Sequence, residues 1–357
     1  MGTGRRFIVF SDLHLHLWNY GASTINKRNS RLLDQIEVLG NILMYAKLHD
    51  IKEIVFTGDF FHTHSSVKSE VLWAAHHFLS FLREDHIKIT FLIGNHDYSD
   101  KEGDLHSIDF FKSFGEVVEK PGIYSDIFWA MSYTEKEEEL REFLDKAPVN
   151  SVVLMHQGLS QIPVNSKGFT LNEILHPSMV PDHVSGAFVG HYHSRFQVHN
   201  KKIWSPGSPM QLIWTDTQED RGLLDVTWHP DRPIEVSQVN LEFPRFVELT
   251  EPDVICAFEQ WRHRGVKCEG NFIRVKLPAK YSEIDTTLIK EDVLKNGARS
   301  CEVVYESTER GDSPLPSNQS FDSLPGLVGS YMDYRDIEVS VRKVGEQIME
   351  GTYEPAV

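Results

Sequence analysis

Cysteine is scarce in this chain. Its three cysteines, Cys256, Cys268 and Cys301, are odd in number, lie late and form no CxxC pair. Neither a disulfide framework nor a thiolate zinc site is expected, and a reducing cytoplasm fits that usage. Long apolar runs are lacking too. Nowhere do about 18 apolar residues follow one another, as a membrane span would need. The stretch after Arg5-Arg6 runs only from Phe7 to Phe10 before Ser11-Asp12, too short for a signal-peptide core. Met1-Gly2 is not a myristoylation start, because Arg6 stands where Ser or Thr is needed. Neither export nor membrane association is expected. Positive charge is also short: 36 Lys and Arg face 52 Asp and Glu, a net charge of -16. That excludes a protein that coats nucleic acid or anionic lipid with its whole surface, so a polyanionic substrate must meet a local positive site. What is present is ample apolar material, 40% of 357 residues. This rules out wholesale disorder and suggests about two domains.

From Phe7 to about Trp204, short β-rich apolar runs alternate with helical patterns, which predicts a layered α/β domain. The runs are 7–10, 54–56, 89–93, 152–155 and 187–189, each continuous enough for a strand covered on both faces. Leu32, Leu33, Ile36, Leu39, Ile42 and Leu43 recur at helical spacing, and a second helix is expected from Val67 to Leu82 behind an N-cap at Ser66. After Phe243-Pro244 the pattern changes to strand (246–249), helix (253–264), strand (271–277), helix (286–296) and strand (301–305), a small α+β unit. The division expected is 1–242, 243–306, a Ser/Pro/Gly/Asp-rich linker 307–326, and a terminal segment 327–357. In that segment Ile337, Val341, Val344 and Ile348 share one helical face, although Gly345 weakens the helix.

The residues after the strands carry the chemistry, because ligands collect at the carboxyl ends of strands in open α/β sheets. In order they are Ser11-Asp12-Leu13-His14, Gly58-Asp59-Phe60-Phe61-His62, Gly94-Asn95-His96-Asp97, His156-Gln157-Gly158 and Gly190-His191-Tyr192-His193. Carboxylate, amide oxygen and imidazole without thiolate suit Mn²⁺, Fe²⁺ or Zn²⁺ better than Ca²⁺. Seven or so ligands can hold two ions, an arrangement that hydrolyses phosphoesters. A lone histidine such as His156 is more often a packing residue, and only its place in the ordered set makes it a ligand candidate. His16, His64, His106 and the His76-His77 pair are read as structural.

The ordered set DxH, GDxxH, GNHD, His, GHxH resembles the calcineurin-like metallophosphoesterase superfamily over roughly the first 200 residues. The resemblance implies a four-layer α-β-β-α sandwich, here with a smaller α+β capping domain. It also implies that Asp12, His14 and His193 hold one metal, that Asn95, His156 and His191 hold the other, and that Asp59 bridges them. His96 would protonate the leaving oxygen and Asp97 would orient its loop, while His62, three residues past Asp59, would come close to His96 and touch substrate or support the ligands, the alternative being loop packing.

Protein Ser/Thr phosphatases show GDxxDRG and GNHE, and purple acid phosphatases place Tyr after the bridging Asp, where Phe60 stands here. GDxFH with GNHD, GHxH and then Ser205-Pro206-Gly207-Ser208-Pro209 is instead similar to the nuclease subunit of the SbcCD and meiotic-recombination-eleven family, in a compact phage-like or prokaryotic form. This resemblance implies Mn²⁺-dependent hydrolysis of DNA by 3′ to 5′ exonuclease and single-strand endonuclease activities, with backbone at Gly207 and Ser208 near the substrate phosphate. It also implies a homodimer bound to an SbcC-type ABC/SMC-like ATPase, docked through a helix beyond the cap, in a prokaryotic or phage-infected cytoplasm. Arg5, Arg6, Lys27, Arg28, Arg31, Lys201, Lys202, Arg262, Arg264 and Lys267 are the basic candidates for phosphate contacts. The alternative is a hydrolase of small phosphodiesters or phosphomonoesters, and a non-catalytic scaffold would require ligand positions to be lost, yet none is missing.

Overall fold

The computed structural model describes residues 4–64, 66–99, 105–160, 173–198, 201–217, 220–250, 268–283 and 285–306. The helix expected at 253–264, the linker 307–326 and the terminal helix with Ile337, Val341, Val344 and Ile348 lie outside these residues, as do Arg262, Arg264 and Lys267. The chain clusters into two compact units, Met1–Gln157 with Met179–Glu306, and Gly158–Ser178 with Ser307–Val357. In the second unit Leu159 bridges to Leu175, and the Ser160 amide donates to the Leu175 carbonyl. Among the described residues no helix is long and apolar enough to cross a membrane.

The first unit is built on two six-stranded sheets. In one, Arg5–Phe10, Glu53–Phe56, Lys88–Leu92 and Glu116–Val118 run parallel, and Gly222–Trp228 and Glu235–Asn240 extend the edge antiparallel. In the other, Phe128–Met131, Val152–His156, Gly186–Gly190 and Ile203–Ser205 are parallel, with Gly122–Tyr124 and Phe196–Val198 antiparallel at the edges. The five apolar runs are strands, buried on both faces as their continuity predicts. The short edge strands have too few residues to show a period and were not legible.

Alternation along the strands assigns each residue to a layer. Phe7, Val9, Val55 and Leu92 turn to the second sheet and join Phe128, Val152, Leu154 and Phe188 in one core. Ile8, Phe10, Ile54, Phe56 and Phe91 turn the other way, onto helices α1 (Ser30–Leu48) and α2 (Ser69–Glu84), through Leu32, Val38, Leu39, Ile42, Ala75 and Leu79. Helix α3 (Glu137–Asp145) covers the far sheet, with Phe143 stacked on Trp129 at 5.2 Å. The order of layers is therefore α-β-β-α.

Helix α1 starts where Asn29 accepts the Leu32 amide. Helix α2 corrects the expected cap: its N-cap is Lys68, without a side-chain bond, because Ser66 is occupied in a preceding turn where its carbonyl accepts from Thr63 Oγ1.

Phe246–Thr250, Phe272–Leu277 and Ser300–Tyr305 form a separate parallel sheet with helix Thr287–Lys295 and its own small core of Leu249, Ile273, Val275 and Val293. It meets the larger sheets at an aromatic cluster. Phe246 and Phe272 stack at 5.0 Å, Trp214 lies 4.8 Å from Phe246, and the buried Arg31 guanidinium sits 4.6 Å over Phe272.

Candidate metal centre

Four ligand-type residues leave their strands with left-handed backbone: Asp12 (φ 49°), His14 (φ 44°), Asp59 (φ 61°) and His191 (φ 109°). Side chains other than glycine adopt this region at a cost, and it persists where neighbours over-determine it. Here those neighbours are identifiable. The Asp12 and His14 amides donate to the carbonyls of Gly58 and Asp59, each at 3.0 Å, which zips the first two loops together. The fully buried Gln35 of α1 donates through Nε2 to the carbonyls of Leu13 and His14 and accepts the His16 amide on Oε1, at 3.0, 3.1 and 3.1 Å. Asp97, also fully buried, accepts the amides of Asp59, Phe60, Phe61 and Gly94 at 2.9 to 3.2 Å, so it orients the Asp59 loop. Burial and the Asp59 charge push its carboxyl up to about 7 against those donors. Glycine is required at 94 because a Cβ there would lie 2.1 Å from Asp59 Oδ1 and 2.3 Å from its amide nitrogen.

The expected ligands converge. Asp12, His14 and His193 bring ligand atoms within 4.8 Å of one another, and so do Asp12, Asp59 and His156. Asp59 Oδ2 lies 3.6 Å from His14 Nε2 and 3.4 Å from His156 Nε2, between the two sets. Asn95 Oδ1 stands 3.1 Å from His156 Nε2 and 3.1 Å from His191 Nδ1.

Lone pairs test whether these residues suit a metal. His156 Nδ1–H donates to the Thr57 carbonyl at 2.6 Å, which leaves the Nε2 lone pair facing the oxygens of Asp59 and Asn95. Such a set of electron pairs is stable only around positive charge. Burial disfavours the imidazolium, but Asp59 outweighs burial and draws His156 up to about 9. Burial lowers His14 well below the ordinary value, and burial with the neighbouring His156 lowers His191 to about 4, so these imidazoles are neutral donors. Among the described residues no Lys or Arg pairs with Asp12 or Asp59. Buried carboxylates with no Lys or Arg partner among the described residues, beside imidazoles and an amide oxygen, fit divalent cations.

His193 is steered by a residue the sequence did not flag. Asp216 lies 3.4 Å from its Nδ1, and although burial disfavours the imidazolium, this hydrogen bond raises the His193 pKa. No pattern links positions so far apart. His62 and His96 sit against the His14 ring, with centroids at 5.4 and 4.8 Å, and His96 Nδ1–H donates to the His62 carbonyl at 3.0 Å. His16 and His64, expected to be structural, join this group: their rings lie 5.0 Å from His62 and 4.7 Å from His96. His106 does not join it and instead lies 3.5 Å from Glu119. His76 and His77 pack against Phe114 and Phe81.

The Gly207-Ser208 turn lies against the His193 loop. The Ser208 amide donates to the His193 carbonyl at 3.0 Å and its side chain is fully buried, so Ser208 braces the His193 loop from behind and does not offer that amide to a phosphate. Gly207, at φ 68°, approaches the same loop so closely that a Cβ would meet the His193 carbonyl at 2.6 Å. Several basic candidates are also engaged elsewhere. Arg5 pairs with Glu53 and Arg6 with Asp225 at the start of their strand, about 20 Å of extended chain before Asp12. Arg31 is buried, Lys201 pairs with Asp182, and Lys202 reaches the Val184 carbonyl.

Comparison with known proteins bears on the whole arrangement. The sequence profile of the calcineurin-like phosphoesterases matches residues 5–257. The DNA double-strand break repair protein Mre11 of Methanopyrus kandleri is 24% identical over 345 residues, spanning 85% of this chain and 71% of that protein. Among solved structures, the Pseudomonas putida nuclease MPE aligns at 14% identity and TM-score 0.30, covering 62% of this chain and 86% of its own. The calcineurin-like phosphoesterase YfkN of Bacillus subtilis aligns at 11% identity and TM-score 0.36, covering 66% and 88%.

Proposed function

Because the chain belongs to the calcineurin-like phosphoesterase family, whose members are metal-dependent hydrolases, we propose that it is a two-metal phosphodiesterase that cleaves DNA. The observation that carries this reading is the convergence of Asp12, His14, Asp59, Asn95, His156, His191 and His193 around one point at the strand ends, with lone pairs turned inward. Asp12, His14 and His193 would hold one ion, Asn95, His156 and His191 the other, and Asp59 would bridge them. Mn²⁺ suits this mixed oxygen and nitrogen set. When bound, such ions supply the Lewis acidity that polarises a phosphoryl oxygen and makes water acidic.

The chain's own residues would do the rest. Asp97 and Gln35 keep the two ligand loops from relaxing, so the donors are arranged before substrate arrives. His96 is anchored through Nδ1 on the His62 carbonyl, which leaves Nε2 to give a proton to the leaving oxygen. His62 packs beside it with a near-parallel ring. The similarity to Mre11 supports DNA as substrate, with 3′ to 5′ exonuclease and single-strand endonuclease activities in break repair or recombination. A homodimer with an SbcC-type ATPase, a capping role for 243–306, docking by 327–357 and a cytoplasmic setting belong to the same proposal and rest on the motif resemblance.

A second reading, hydrolysis of small phosphodiesters, is favoured by the engagement of Arg5, Arg6, Arg31 and Lys201 in internal contacts. Cleavage of end-labelled duplex and single-stranded DNA with Mn²⁺ or Mg²⁺, wild type beside Asp59→Asn, separates the two. Mn²⁺-dependent degradation that vanishes in the variant is expected. Intact DNA together with Asp59-dependent turnover of bis(4-nitrophenyl) phosphate would overturn the DNA reading in favour of the small-substrate one.

A further inference from the structure

We propose that a row of imidazole and indole rings beside the metal centre is a stacking subsite for the nucleobase on the leaving-group side of the scissile bond. The subsite rests on the phosphodiesterase reading above. Trp18 lies 4.5 Å from His62, His62 lies 5.6 Å from His96 with ring planes 14° apart, and His64 lies 4.7 Å from His96 at 23°. His16 closes the row at 5.0 Å from His62 and 5.5 Å from Trp18. These separations fall in the range of stacked and edge-on aromatic pairs. The row is continuous with the metal ligands, because the His14 ring touches both His62 and His96.

Ring contact, more than hydrogen bonding, holds the row together. Trp18 Nε1 and His62 Nδ1 are buried without a hydrogen-bond partner. One end of it is open: His62, His96, His16 and Trp18 are half-buried, and His64 is exposed. His64 thus rests on His96 and remains open to solvent.

Position gives the row its role. With His96 donating to the leaving oxygen, the departing sugar emerges beside His96, and the next group outward is its base. The next side chain outward from His96 is His64. Histidine and tryptophan rings accept any base by stacking, with little dependence on sequence. A net charge of -16 makes such a surface useful, since it adds affinity for a nucleotide without adding cations. Three of the rings, His16, Trp18 and His64, belong to no ligand set described above.

The test uses the full chain with Mn²⁺ and a single-stranded oligonucleotide carrying one hydrolysable phosphodiester, the other linkages being phosphorothioate. The leaving-side residue is either a normal nucleotide or an abasic tetrahydrofuran. For the wild type, removing the base is expected to lower kcat/KM roughly tenfold. His64→Ala is expected to lose a similar factor on the normal substrate and almost nothing on the abasic one. Trp18→Phe keeps a ring in the row and should retain the preference for a base, and Mn²⁺ content measured on each variant separates stacking from damage to the metal site. Equal wild-type rates on the two substrates, or a His64→Ala loss that is the same on both, would overturn the subsite while leaving the nuclease intact. If the wild type cleaves neither oligonucleotide yet turns over bis(4-nitrophenyl) phosphate, the DNA reading fails and the subsite falls with it.

Discussion

Gln35 shows how much of a metal centre can depend on a residue that would touch no metal. Its amide satisfies two carbonyls and one N–H of the loop from Asp12 to His16, in which Asp12 and His14 are held at positive φ. Gln35→Leu keeps the volume and leaves those backbone groups without partners. Each unsatisfied buried group costs about 1–3 kcal/mol, so a stability loss of about 2 kcal/mol or more is expected in urea melts, with weaker Mn²⁺ binding by calorimetry. His96→Ala addresses catalysis instead: cleavage should be abolished while metal content stays near wild type. Metal loss in that variant would show that His96 is a ligand. At this scale the metal-type residues were legible because carboxylate, amide and imidazole recur directly after strands. Gln35 left one faint sign, a polar residue among the apolar positions Leu32, Ile36 and Leu39. Asp216 left none, and His16 and His64 left only their closeness in sequence to the site loops, since their roles come from which loops meet.

The docking of the three-stranded sheet is the informative case among elements. Asp34 of α1 accepts both Arg299 contacts, at 2.5 and 2.6 Å, and Arg31 lies 3.9 Å away. Burial pushes the Asp34 carboxyl up and pulls Arg31 down to about 10, so dehydration outweighs mutual attraction in this cluster. Buried ion pairs of that kind contribute orientation more than net stability. Removing one partner still leaves an uncompensated charge. Arg299→Ala is therefore expected to destabilise the protein by about 3 kcal/mol, read from chemical denaturation, whereas an apolar replacement of both Asp34 and Arg299 should recover much of the loss. Buried strands and the α1 stripe could be read from apolar periodicity. The start of α2 could not, because Ser66 is a plausible cap whose backbone is taken by a neighbouring turn. Nor could the edge strands Phe196–Val198 and Gly122–Tyr124, which are too short to carry a period.

For the molecule as a whole, charge away from the metal centre also contributes to the response to pH. Burial pushes the Asp225 carboxyl up, but hydrogen bonds from Arg6 and Tyr45 outweigh it and leave its pKa below the ordinary value. A carboxyl lowered on folding adds stability above its unfolded pKa, about 3.9, and loses it as pH falls through the folded value. Asp225→Asn should thus be less stable than wild type at neutral pH, and the gap should close below about pH 4 in melts across a pH series. Arg6 was a candidate for DNA contact, and its use in this pair belongs to the same lesson. Sequence alone determined the layered α/β class, the order of its buried strands and the ligand-type residues at their ends, because periodicity and residue chemistry are local properties. Tertiary structure alone decided which basic side chains are engaged in internal contacts, that the Ser208 amide is bonded to the His193 loop, and that scattered histidines form one row of rings. Those outcomes depend on distances between residues far apart in the chain, and close packing sets such distances only after folding.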